Sequence, residues 1–239
     1  MSFNFPPLTP LVKRLLIFLG VAFVLVAVLD VLGVHLYPLL ALTLSYADGV
    51  PWSLAWEPFT YWAIYPPAPP SLVDVLLTLL MLYFFLSPFE ATFGAKRAVI
   101  LSVLGVLAAA LVAVPLAFFL PRPPLAGASA ISAAAFGAFP VLFRDREIML
   151  FPLLIKMKPW TALLIGLGIS ALMAVLYRDP HVFAVHAAAM GAGVAYATWL
   201  VRPAKPSARP QPRKRGKGGP DLRVIEGGAD RDDDPRWLN

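Results

Sequence analysis

Residues 127–143 read GASAISAAAFGAFPVLF, an uncharged apolar run that opens with small residues and carries a serine, Ser129, near its start. A second run, 183–201, reads FAVHAAAMGAGVAYATWLV and carries His186 near its own start. Both have Gly and Ala at helical spacing, so two such helices can bring their backbones close together inside a bilayer. Four more apolar runs, at about 15–34, 71–89, 98–120 and 160–177, complete a set of six. A hydrocarbon core of ~30 Å takes about 20 apolar residues per helix, so each run is a candidate span. The expected fold is all-α: a bundle of six transmembrane helices over residues 1–201, with no room for a second folded domain.

Composition agrees that the bilayer is the solvent. Of the 239 residues, 59% are hydrophobic and 14% charged, and the mean hydropathy is +0.73. Soluble domains are about half apolar and about one quarter charged. The net charge of +6 is not spread as a nucleic-acid surface would be. Half of the 20 Lys and Arg lie from Arg202 onward, and most of the others sit in pairs at the ends of apolar runs. Nucleic acid is therefore not an expected partner. Cysteine is absent, which excludes disulfides, thiolate catalysis and cysteine-ligated zinc, and no metal or cofactor is expected. Lys13 and Arg14 precede the first run, but no small-residue cleavage site follows before Asp30. That run is read as a retained helix rather than a signal peptide.

Orientation follows from the basic residues. Lys13, Arg14, Lys96, Arg97, Arg144, Arg146, Lys156, Lys158 and the basic tail fall on one side of a six-span chain, and only Arg122 and Arg178 on the other. Such residues mark the cytoplasmic face. Both termini are thus expected in the cytoplasm, in a cell (inner) membrane. Segment 35–70 holds Trp52, Trp56, Tyr61, Trp62, Tyr65 and four closely spaced prolines, with Asp48 and Glu57 its only formal charges. Trp and Tyr favour the headgroup level, so this segment reads as a loop structure lying in the interface. Met149–Trp160, with Pro152, Lys156, Lys158 and Pro159, reads equally as a stretch along the cytoplasmic interface or as an ordinary charged loop. Residues 202–239 pass from basic to acidic and bury too little apolar surface to fold. They read as a disordered tail, to which contact with anionic lipid heads, at ~1 kcal/mol per basic residue, is a compatible addition.

With that topology, Ser129 falls in the first turn of the fourth span and His186 about one turn into the sixth. Asp74 and Thr78, four apart and so on one face, fall in the outer third of the second. Polar groups at membrane depth are costly, and ionisable ones there are functional candidates. A hydroxyl beside an imidazole is the minimum apparatus for nucleophilic catalysis, the histidine taking the proton and returning it to the leaving group. A serine at a helix start also has unpaired N–H groups and the positive dipole end nearby, where an oxyanion is best stabilised. The bland alternative is tight helix packing with hydroxyls bonded to carbonyls. It accounts for Ser129 and the small residues and leaves His186 unexplained. Asp30 with His35 reads as a solvated pair at the outer boundary. His181, beside Arg178 and Asp179, is expected to face water, with no role assigned.

Several patterns, in register over residues 11–201, resemble the rhomboid family of intramembrane serine proteases. Trp56-Glu57-Pro58-Phe59-Thr60-Tyr61 is similar to that family's Trp-Arg-x-x-Thr-Tyr, with Glu57 in place of Arg. Glu90 to Gly94 resembles the Glu-x-x-x-Gly that closes the second helix. Gly127-Ala128-Ser129-Ala130, with Gly137 beyond, resembles the nucleophile motif Gly-x-Ser-Gly, and His186 with Gly193 resembles the sixth-helix motif. The resemblance implies Ser129 as nucleophile and His186 as general base, acting on transmembrane or juxtamembrane segments of other membrane proteins without metal or cofactor. It also places Asp74 and Thr78 where active relatives carry a His and an Asn beside the oxyanion. An ionised Asp74 can only accept hydrogen bonds; it would have to be protonated by burial, or pair with His186 as an orienter, to assist. Ala130 replaces the motif's second glycine and is expected to add a methyl where the fourth and sixth helices touch, and Ala189 stands where the family often has glycine.

Two functions follow as expectations. The first is an intramembrane serine endopeptidase using a Ser129–His186 dyad; the second is an inactive rhomboid-like pseudoprotease that binds membrane-protein clients. A transporter or channel would need polar residues at several depths, and the inner halves of the spans are almost purely apolar.

Overall fold

The computed structural model describes residues 6–43, 56–119, 124–144, 148–150, 155–176 and 178–202. Asp48, Trp52, Arg122, Arg146, Pro152 and the tail from residue 203 lie outside these.

The first span is α1, Pro10–Val31. Thr9 precedes it without capping it through its side chain. The end of the second span supplies the cap instead. Glu90 accepts the amides of Leu11 and Val12 at 3.0 Å each and the hydroxyl of Thr9, while the Thr9 amide donates to Ser87. A carboxylate is well suited to the orphan donors and positive end of a helix N-terminus, so Glu90 ties α1 to the second span. Beyond α1 come the short helices α2, Tyr37–Leu40, and α3, Glu57–Thr60, the latter continued by a 3₁₀ turn over Tyr61–Ala63. This aromatic loop does more than lie at an interface. Glu57, Tyr61 and Tyr65 are buried, and Glu57 accepts both the amide and the hydroxyl of Thr43, at 3.1 and 2.7 Å.

The second span consists of α4, Pro69–Met81, a π-helical turn over Leu82–Leu86 and α5, Ser87–Phe93. Pro88 lacks the N–H that would continue regular pairing, which accounts for a wide turn just before it. Gly94, at φ 83°, ends α5 and lets the chain reverse into α6, Ala95–Phe119. Two short antiparallel strands, β1, Ile148–Leu150, and β2, Ile155–Met157, follow helix α7 described below, with Met149 opposite Lys156. The segment expected to be an interfacial stretch or a charged loop therefore contains a small hairpin. The last spans are α8, Pro159–Leu176, and α9, Pro180–Leu200.

Among the described residues five helices are long and apolar enough to cross a membrane, and the chain is a multi-pass integral membrane protein. The fourth expected span is different. α7, Ser129–Leu142, has only 14 residues, about 21 Å at the usual helical rise, against a ~30 Å core. It is buried along nearly its whole length, with Ala130–Ala135 and Gly137–Pro140 covered by neighbouring helices. A lipid-facing helix must match the bilayer; α7 is solvated by protein and need not.

The small residues decide how α7 is held. It packs most extensively against α9, next to which α6 lies as well. A Cβ on Gly137 would strike the Met190 carbonyl, and one on Gly193 the Ala134 carbonyl. On another side, a Cβ on Gly105 of α6 would come within 2.6 Å of the Ala134 Cβ and 2.8 Å of the Ala130 carbonyl. Ala130 was expected to widen the α7–α9 contact; instead that crossing lies further along, at Gly137 and Gly193, and the Ala130 backbone abuts α6. Ala189 is fully buried.

Candidate active site

Ser129 is the first helical residue of α7, half-buried, and the amides of Ser129 and Ala130 have no hydrogen-bond partner among the described residues. Two orphan N–H groups at the positive end of a buried helix favour negative charge beside the serine hydroxyl.

The stretch leading to Ser129 is not helical, and such backbone at membrane depth needs protein partners for its polar groups. The aromatic loop provides them. Leu42 and Leu125 exchange backbone hydrogen bonds at 2.9 and 3.0 Å, the Gly127 amide donates to the Tyr61 carbonyl at 2.9 Å, and the Ala128 amide donates to the Tyr65 phenol at 3.0 Å. Gly127 has φ 92°, and a Cβ there would fall 2.7 Å from the Tyr65 ring. Only glycine meets both conditions. The Tyr61 phenol donates to the Val106 carbonyl of α6 at 2.9 Å, anchoring the loop to the bundle.

Thr78 is buried beside the Tyr65 phenol. Burial raises the titration of Tyr65 above its ordinary value, with Thr78 and the Ala128 amide opposing that rise and the charge of Asp74 adding to it. The phenol accordingly keeps its proton. Asp74 and Thr78 share one helix face as the spacing required, yet Asp74 is exposed. Its interaction is with Tyr65, and among the described residues it makes no pair with His186.

His186 is half-buried in α9, and it precedes Gly193 by about two turns, as Ser129 precedes Gly137. No hydrogen bond joins Ser129 to His186 among the described residues; the His186 Nδ1 lies 3.2 Å from the Ser170 hydroxyl of α8. Ser170 was not legible as a site residue. A single hydroxyl in an apolar run gives no periodic signal, and its partner depends on how α8 is rotated. His181 also departs from expectation. It is buried rather than water-facing, with Nδ1 3.0 Å from Asp179, which also caps α9, and its Nε2 has no partner among the described residues. Asp30 and His35 form the expected exposed pair at 2.7 Å. Among the described residues no three His, Asp or Glu side chains gather as a metal ion would require.

Comparison with known proteins gives one positive finding: the Rhomboid domain family matches residues 56–203, more than half of the chain. No match was found among curated proteins. The matched region takes in the aromatic loop from Trp56, the helix opened by Ser129, and all of α8 and α9.

Proposed function

The chain belongs to the rhomboid family, and on that premise we propose that it is an intramembrane serine endopeptidase cutting transmembrane or juxtamembrane segments of other membrane proteins. Residues 1–201 are the working unit on this reading, in a cell membrane with both termini cytoplasmic, as the distribution of Lys and Arg favours. The observation that carries the reading is the start of α7. Ser129 opens a helix too short to fill the core, with amides beside it that have no partner among the described residues, and the helix packed most extensively against it carries His186.

Ser129 would attack the scissile carbonyl while His186 takes its proton, and His186 would then protonate the departing amine. The acyl group left on Ser129 is released by water. The oxyanion would meet the Ser129 and Ala130 amides, with the hydroxyls of Tyr65 and Thr78 as candidate side-chain donors.

The second reading, an inactive relative that binds membrane helices, is favoured by Asp74, whose ionised carboxylate can only accept. Losing one oxyanion donor costs about 10²–10³ in turnover, which slows a protease without abolishing it. Cleavage of a panel of model transmembrane substrates in liposomes separates the two. Product from wild type that disappears with Ser129→Ala supports the protease. Product from Asp74→His alone identifies a catalytic frame disabled at its oxyanion site, and no product from either leaves the binding protein.

A further inference from the structure

Several hydroxyls in the spanning helices of this chain are satisfied locally. Ser102 donates to the Ala98 carbonyl, Ser132 to that of Ser129 and Thr198 to that of Ala195, each on its own helix. This is the usual arrangement for Ser and Thr in membrane helices. Ser170 does otherwise. Its Oγ reaches across to α9 and meets the His186 Nδ1 at 3.2 Å. The contact is inside the bundle: Ser170 is buried, and Leu163, Gly166 and Ser170 share the inner face of α8. Gly166 fixes the approach, since a Cβ there would fall 2.7 Å from the Phe136 ring of α7. The fifth span is therefore seated against the helix that carries Ser129 at a point one turn from Ser170.

A neutral imidazole carries one proton, and its partner decides which nitrogen holds it. A base that takes the Ser129 proton at Nε2 must carry its own proton on Nδ1, the nitrogen that faces the Ser170 hydroxyl. Resting on the protease reading, we propose that Ser170 is the positioning residue for His186: its hydroxyl accepts from Nδ1–H, fixes the ring and leaves the Nε2 lone pair for the Ser129 proton. The family motifs quoted above contain no fifth-span residue, so the base acquires its third partner from a helix that carries no other side chain of the site.

The experiment uses the full chain in liposomes, with Ser170→Ala and Ser170→Thr beside wild type and Ser129→Ala. Ser170→Ala lowers kcat on the order of tenfold with KM unchanged, and Ser170→Thr, which keeps the hydroxyl, recovers most of it. Nitrogen-15 NMR of histidine-labelled protein in detergent, assigned with His186→Ala, shows His186 protonated on Nδ1 in wild type and without a fixed tautomer in Ser170→Ala. A kcat indifferent to Ser170→Ala, or a proton found on Nε2, overturns the proposal. So does fluorophosphonate labelling that survives Ser129→Ala and is lost with Ser170→Ala, which would make Ser170 the nucleophile. If wild type cuts, Ser129→Ala is dead and Ser170→Ala is normal, the Ser170 proposal fails alone. If wild type and Asp74→His both fail to cut, the protease reading fails, and the nitrogen spectrum still decides whether Ser170 sets the tautomer.

Discussion

Tyr65 shows how a single side chain can hold a non-helical approach at membrane depth. Its phenol accepts the Ala128 amide and its ring lies on Gly127. Tyr65→Phe keeps the ring and leaves that amide buried without a partner, which costs about 1–3 kcal/mol. Thermal unfolding in detergent is expected to register the loss, and turnover is expected to fall with it. Gly127→Ala is expected to be worse, because it forces a methyl into the ring from a backbone conformation that L residues rarely adopt. At this scale the place of Ser129 at a helix start and the shared face of Asp74 and Thr78 were legible from spacing. That Thr78 is buried and Asp74 exposed was not, since what covers a residue depends on its neighbours in the bundle. Ser170 was not legible at all, for want of any pattern joining positions 170 and 186.

Among the elements, the pairing of α7 with α9 has the least tolerance. Gly193→Ala places a methyl against the Ala134 carbonyl, and with no side chain there to yield, the helices must part. Overpacking of this kind costs about 1–3 kcal/mol, and the separation also pulls His186 away from Ser129. Cleavage is therefore expected to fall further than the melting temperature implies, a comparison that parallel activity and unfolding assays make directly. Glu90→Ala acts at the other junction. It strips α1 of its cap and leaves the Leu11 and Val12 amides unpaired, the Thr9 hydroxyl keeping Ser87, for a loss of about 2–3 kcal/mol, with turnover per folded molecule nearly unchanged. Glycine spacing foretold that the fourth and sixth helices touch. It did not foretell where, since the runs of Ala and Gly allow several registers and the contacts of Gly137, Gly193 and Gly105 select one.

For the whole molecule, hydropathy counted the helices correctly but misjudged one of them. A run as apolar as residues 127–143 reads as a span whether its surroundings are lipid or protein, and only the assembled bundle distinguishes the two. The use of the aromatic loop as scaffolding was not legible, because the pairing of Leu42 with Leu125 joins segments far apart in sequence. That long-range pairing has a consequence for biosynthesis. The loop emerges from the ribosome well before the stretch it braces, and α9 with His186 emerges after both. A nascent or truncated chain that has delivered Ser129 lacks the Gly193 crossing that seats α7 and the imidazole that would activate the hydroxyl. If the chain is the protease proposed above, a half-made copy threatens neither itself nor its neighbours, and reactivity arrives only with α9.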